Sequence, residues 1–250
     1  MKLLKVEIPK SKLSSVPKNE RVFFVQTGNL LNDLSMLQKL TLFSTNVKTA
    51  NQIVHMAQNM QTLSLIRIQA GKLHEGWQLL QKNFFATKLS LEYEKELTAP
   101  EKEDLQKLKA YFHKDKNLIS LIRNKFAFHY YPSSTEINQL IDGLREEEIF
   151  EIFMSEFYGN CVFSMSNVLI TYLILEYTGV ENTDENTDKA MFKLLRDVTD
   201  VTRWFGSFLG GCLLVFTKKH LGLKSTEVEI PEPTNINEVT LPYFISGERN

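Results

Sequence analysis

The chain has 250 residues, 43% of them hydrophobic, and a formal net charge of -1 from 29 Lys and Arg against 30 Asp and Glu. That length and apolar content suffice for a well-buried core, and a near-neutral chain has no whole-protein field to hold a polyanion, so a nucleic acid would have to be met by a local patch. Cys161 and Cys212 form neither a CxxC pair nor a disulfide framework, which fits two buried thiols in a reducing compartment, and the opening MKLLKVEIPK lacks the pattern of a secretory signal, so the expected location is the cytoplasm.

Taken in chain order, residues 1–20, with Pro9, Pro17 and scattered serines, predict a flexible lead-in. Leu30, Leu31, Leu34, Leu37, Leu40 and Leu42 recur at helical steps and predict an amphipathic helix that ends near Ser44. A longer helix is expected to start at a Thr45 or Asn46 cap and to run to Phe85, with Gly71 and Gly76 as points of kinking or of close helix approach and Trp77 in the core. Thr98, Pro100 and the acidic residues after them predict a helix that stops near His113. DKNLISLIRNKFAFHYY follows as a helix of its own, with Leu118, Ile122 and Phe126 on one face and Pro132 ending it. Ser133 and Glu136 read as a capping box for a short helix to about Gly143. EEEIFEIFMSEFYGN fits either strand or helix, and its REEE start reads as a solvated face.

Cys161 to Gly179 and Asp188 to Leu221 predict two further core helices, whose apolar runs fall short of the roughly 20 residues that a bilayer needs. Glycines in GSFLGG, Gly206 to Gly211, suggest a tight helix crossing. The last segment, 223–250, carries three prolines and no period, and is expected as an extended tail. The whole reads as one all-α domain over 21–222, a helical bundle with long antiparallel helices and no membrane span.

Common catalytic signatures are missing. His55, His74, His113, His129 and His220 give no i, i+4 pair and none follows a Glu by three residues, which removes HExxH and the ExxH di-iron pattern, so no metal site is expected. There is no GxxxxGK[ST], GxGxxG or GxSxG, and no cofactor is expected. GKLHEGW brings Lys72, His74 and Glu75 close in sequence, but on a helix His74 and Glu75 point about 100° apart and form no obvious acid/base pair.

RNKFAFHYY is the exception, because it sets Arg123, Asn124 and His129 inside an otherwise apolar run. On an ideal helix six residues turn by about 600° and rise about 9 Å, so Arg123 and His129 converge only if the helix unwinds before Pro132 or if two copies pack this helix across a two-fold axis. Two readings of the residues stand. Arg123 could pair with Glu136 while His129 bonds a late helix carbonyl, a purely structural end. Alternatively His129, a residue type whose reference pKa lies near neutrality, moves a proton while Arg123 holds a phosphate.

This segment resembles the signature of the HEPN superfamily, helical domains marked by an arginine, a polar residue and a histidine four to six residues later. The resemblance implies a metal-independent endoribonuclease of toxin or antiviral-defence type, cleaving RNA at a composite cleft of a two-fold homodimer. It implies Arg123 and His129 as catalytic, Asn124, Lys125 and Tyr131 as substrate-binding, and an antitoxin or nucleotidyltransferase as a further partner. The other function it allows is a non-catalytic module that binds a nucleotide or a partner protein through the same cleft. Arg67 and His74 have a similar spacing, but Ile68 stands where the signature has a polar residue. Lys107, Lys109, Lys114, Lys116 and Lys125 supply positive charge along which an RNA backbone could run.

Overall fold

The computed structural model describes residues 1–114, 117–128, 133–144, 146–177, 184–222 and 225–247, apart from the side chains of 184–188, 190 and 191. Among the described residues the chain is all-α, with nine α-helices and two small antiparallel strand pairs. In chain order these are β1 (Lys2–Val6), α1 (Lys10–Ser15), α2 (Lys18–Thr45), α3 (Gln52–Leu80), α4 (Leu89–Glu96), α5 (Ala99–Phe112), α6 (Leu118–Ile122), α7 (Ser134–Asp142), β2 (Ile152–Phe153), β3 (Val162–Phe163), α8 (Ser164–Tyr177), α9 (Asp184–Phe216) and β4 (Ser225–Glu229). Three π-helical turns, Gln81–Phe85, Arg123–Ala127 and Thr217–Leu221, extend α3, α6 and α9. None of the described helices is long and apolar enough to cross a membrane.

The chain divides into two compact units. Met1–Met36, Lys72–Asn117 and Thr199–Asn235 form the first, and Leu37–Gly71, Leu118–Val198 and Ile236–Asn250 the second. The helices α2, α3 and α9 each give part of their length to both units.

Aromatic packing fills the core of the first unit. Phe84 is fully buried, with ring centroids 5.4 Å from those of Phe23 and Phe208, while Trp77 lies flat on Phe112 at 4.8 Å. Trp77 is therefore a core residue, as its apolar setting predicts. Beside the aromatics sits a buried carboxylate, Glu20 of α2. It accepts from the Tyr93 hydroxyl of α4 at 2.8 Å and from Lys219 Nζ at 3.1 Å, and its Oε2 lies 2.7 Å from His220 Nε2, both of these in the turn after α9. Burial alone would push the Glu20 carboxyl up, but the hydrogen bonds from His220, Tyr93 and Lys219 together outweigh it and hold the group below its ordinary value. Burial also drives the Tyr93 hydroxyl strongly upward, aided by the adjacent carboxylate, so it stays a donor. Gly222, at φ 71°, ends the Thr217–Leu221 turn in a conformation that side chains disfavour.

The segments read as a lead-in and a tail carry β1 and β4, which pair antiparallel with Lys2 opposite Glu229 and Val6 opposite Ser225. At Thr98 the predicted cap is present: its backbone N–H donates to Glu101 at 2.7 Å. The Glu101 carboxylate lies where a side chain at position 211 would stand, 2.5 Å from an ideal Cβ. Within GSFLGG only Gly211 is thus needed for a close approach, since Gly206 and Gly210 face open space.

In the second unit the polar core centres on Gln58, which donates to Ser44 Oγ and to the Leu241 carbonyl, both at 2.9 Å, and accepts from the Tyr243 N–H at 3.1 Å. Asn46, one of the two residues expected to cap α3, instead donates to the carbonyls of Ile236 and Val239 at 3.0 Å and secures that segment. The cap is Asn51, whose side chain accepts from the N–H groups of Ile53 and Val54. Both positions are polar residues before one apolar period, so local pattern could not choose between them. The predicted capping box of α7 is present, with the Ser133 N–H donating to Glu136 at 3.1 Å and the Glu136 N–H to Ser133 Oγ at 3.3 Å. Of the two thiols only Cys212 is buried; Cys161 is partly exposed because it lies at the edge of β3 rather than in a helix.

Glu20 makes the first unit acid-sensitive. A depressed carboxyl contributes stability above the unfolded value of 4.5 and loses it as pH falls through its lower folded value. Urea denaturation at neutral pH should show Glu20→Ala about 2–4 kcal/mol less stable than the native chain, and Glu20→Gln should flatten the native loss of stability below pH 4.5.

Candidate functional site

The helix α6 is short and strongly anchored. Leu118, Ile119 and Ile122 are buried, and Phe126, four residues on, continues the same face into the second unit. After Ile122 the hydrogen bonding widens to the π-helical turn Arg123–Ala127, and at Phe128 the backbone leaves helical geometry with φ -130° and ψ 5°. The single helix expected over 115–131 is therefore cut off before His129. This matters for the site, because the ideal-helix geometry that would hold Arg123 and His129 on different faces ends at Phe128. His129 and Tyr131 themselves lie outside the described residues.

Glycine helps to set this break. An ideal Cβ at Gly71 of α3 would stand 2.4 Å from the Phe128 ring and 3.2 Å from Ala127 Cβ, so the absent side chain is the space into which Phe128 folds. Gly71 is thus a point of close approach, one of the two roles its sequence context suggests.

With Phe126 turned inward, Arg123 and Asn124 face outward, Asn124 exposed and Arg123 half-buried. Arg123 Nη1 donates to Asn124 Oδ1 at 3.1 Å. That bond brings two neighbouring polar groups together and fixes the plane of a guanidinium whose fork of N–H donors matches a phosphate or carboxylate.

Lys125 turns away from this pair. Its ammonium contacts Glu136 of α7 at 3.2 Å, donates to the Tyr177 hydroxyl and lies 4.3 Å from the centroid of the Tyr177 ring, at the end of α8. Tyr177 in turn donates to Glu136 Oε1 at 3.0 Å, and its ring centroid is 6.2 Å from that of Phe126. The Tyr177 hydroxyl, ahead of Glu136, raises the Lys125 ammonium above its ordinary value. So the structure brings Arg123 and Asn124 together and commits Lys125 to a clamp between the turn, α7 and α8. Sequence reasoning passed over Tyr177 and this use of Glu136. The only local signal was Glu136 itself, which the sequence assigns to the capping box or to a pair with Arg123, whereas it meets Lys125.

In the first unit Lys107 pairs with Glu103 at 2.7 Å and Asp104 at 3.3 Å, Lys109 with Glu94 at 3.2 Å, and Lys114 lies over Tyr111. Lys116 lies outside the described residues. Arg67 and His74 occupy the unbroken helix α3, seven residues and so about 10 Å apart along its axis. Arg67 donates to Ser64 one turn earlier at 3.2 Å, and burial lowers its guanidinium from the usual value. Among the described residues no three His, Cys, Asp or Glu side chains gather into a metal cage.

The clamp has a measurable weight. Replacing Lys125 by Met keeps the aliphatic stem but removes the charge from Glu136 and Tyr177. Chemical denaturation should register a loss of about 1 kcal/mol, given how open part of the pair is to water. Set against protein-family models, curated proteins and solved structures, the chain has no match in any of the three.

Proposed function

We propose that this chain is a metal-independent endoribonuclease of toxin or antiviral-defence type, working as a two-fold dimer with Arg123 and His129 as its catalytic pair. The observation that carries the reading is the Arg123 and Asn124 pair on the outward side of a π-helical turn, at the point where the helix breaks off before His129. Such single-turn π-helical departures are frequent at functional sites, because they place side chains where a regular helix would not. The part given to His129 and Tyr131 rests on the RNKFAFHYY signature alone.

The chemistry asks little of each group. His129 takes the proton of an RNA 2′-hydroxyl as its oxygen attacks the adjacent phosphorus. The new bond is O2′–P, the bond that breaks is P–O5′, and the departing 5′-oxygen receives a proton from the same or the partner's imidazolium, leaving a 2′,3′-cyclic phosphate. Arg123 spans two phosphate oxygens and offsets the charge that builds on them in the transition state, while Asn124 holds the guanidinium plane. Tyr131 offers a stacking face or a hydroxyl to the neighbouring nucleotide. Lys125, committed to Glu136 and Tyr177, acts on this reading through the shape of the turn.

Purified protein incubated with single-stranded RNA in EDTA should release fragments ending in cyclic phosphate. Arg123→Ala or His129→Ala should each lower that rate by roughly 100-fold or more, the scale of removing an acid/base group or an oriented charge. His74→Ala should leave it nearly unchanged per folded molecule. Binding of RNA or nucleotide without cleavage by the native chain would favour the non-catalytic module instead, and cleavage that needs Mg²⁺ would move the chemistry to a different site.

A further inference from the structure

The second unit carries a surface that the RNA reading does not use. Here β2 and β3 pair antiparallel, with Ile152 opposite Phe163 and Phe153 opposite Val162. Directly opposed residues share one side of such a pair, so the register sorts the four side chains. Val162 is fully buried and Phe153 half-buried, whereas Ile152 and Phe163 point outward together. In the same stretch of chain Ile149, Met154 and Tyr158 are 84%, 75% and 85% exposed.

Lone apolar side chains on a surface are ordinary, but this group is both concentrated and held in place. Asn160 donates to the Ile245 carbonyl at 2.7 Å and accepts the Ile245 N–H at 3.0 Å, and the Tyr243 hydroxyl donates to the Cys161 carbonyl at 2.7 Å. Ser164 also bonds the Glu151 carbonyl. These four bonds tie the segment around the strand pair to Ile245, Tyr243 and its own neighbours and hold it in place.

Charge decides what could cover it. Between Arg145 and Lys189 the sequence has no Lys, Arg or His, but it has ten acidic residues, and the exposed Glu146, Glu147 and Glu151 precede Ile152 within six residues. A nucleic acid or an anionic membrane would be repelled. A second copy of the chain meeting this face across a two-fold axis would set the same glutamates against each other while desolvating them. A cationic protein segment has neither penalty.

We propose that the β2–β3 face is a docking site for another protein, and that it takes an amphipathic segment whose apolar residues lie on Ile152 and Phe163 while flanking Lys or Arg side chains meet the neighbouring glutamates. Apolar contact supplies the affinity and the glutamates select the sign of the partner's charge.

The test uses the full chain and three labelled synthetic peptides of equal length, followed by fluorescence anisotropy at physiological salt. One peptide carries Leu and Lys at helical spacing, the second has Glu in place of each Lys, and the third keeps the Lys but has Ser in place of each Leu. The Leu/Lys peptide should bind at least ~10-fold more tightly than either control, and the double variant Ile152→Ser/Phe163→Ser should lose ~10-fold of that affinity, the scale of withdrawing two apolar side chains from a contact. Should that variant not fold by circular dichroism, Met154→Ser/Tyr158→Ser, which leaves the strand pair intact, should show the same loss. Equal affinity of native and folded variant proteins, or of the Leu/Lys peptide and either control, overturns the proposal. A native dimer in sedimentation that the same substitutions convert to monomer overturns it in favour of a second copy as the occupant.

Discussion

A carboxylate taken out of water must be met by donors or it loses its charge, and Glu20 makes that demand in the first unit. No single element can meet it. The donors come from α4, through Tyr93, and from the turn after α9, through Lys219 and His220, far apart in sequence from α2. Burial of Phe23, Phe84 and Phe208 contributes more free energy in total, at about 1.5–3 kcal/mol for each large apolar side chain, but aromatic packing tolerates small shifts in how helices meet. A carboxylate with three donors does not. It fixes the alignment of α2, α4 and the end of α9, and Gly222 just beyond, whose positive φ a glycine adopts freely, stands where the chain turns out of that arrangement.

The second unit is held by the same rule with neutral groups. Gln58 is buried, and its amide finds partners in Ser44, Leu241 and Tyr243, so the C-terminal segment is ordered by satisfying a helix rather than by a period of its own. The candidate site repeats the pattern on a smaller scale. Lys125, Glu136 and Tyr177 satisfy one another across the turn, α7 and α8, and Phe126 packs beneath them, which leaves Arg123 and Asn124 as the outward pair. The positions that look most functional in the sequence thus divide by what they touch: Lys125 meets Glu136 and Tyr177, and Arg123 meets Asn124.

Arg123 suits an anion, whereas the β2–β3 face, with its glutamates, suits a cation. Both lie in the second unit, and their opposite electrostatics mean that one class of ligand cannot serve both. On the proposed readings, a nucleic-acid substrate and a basic protein partner would address different surfaces of the same unit.

The sequence by itself determined the all-α class, the capping boxes at Thr98 and Ser133, Trp77 as core and the buried face of Leu118, Ile122 and Phe126, because each depends on residues within a few turns of one another. It also marked Arg123 and Asn124 as polar groups in an apolar run. Other features needed the tertiary structure. The cap of α3 passed from Asn46 to Asn51 because Asn46 is claimed by carbonyls near the C-terminus, and α6 breaks at Phe128 where Gly71, more than fifty residues earlier, leaves room for its ring. Lys125 became a clamp because α7 and α8 deliver Glu136 and Tyr177 to it. Local pattern encodes which face of an element seeks burial, but which distant group meets it there is decided only when the elements pack and every buried polar atom must find a partner.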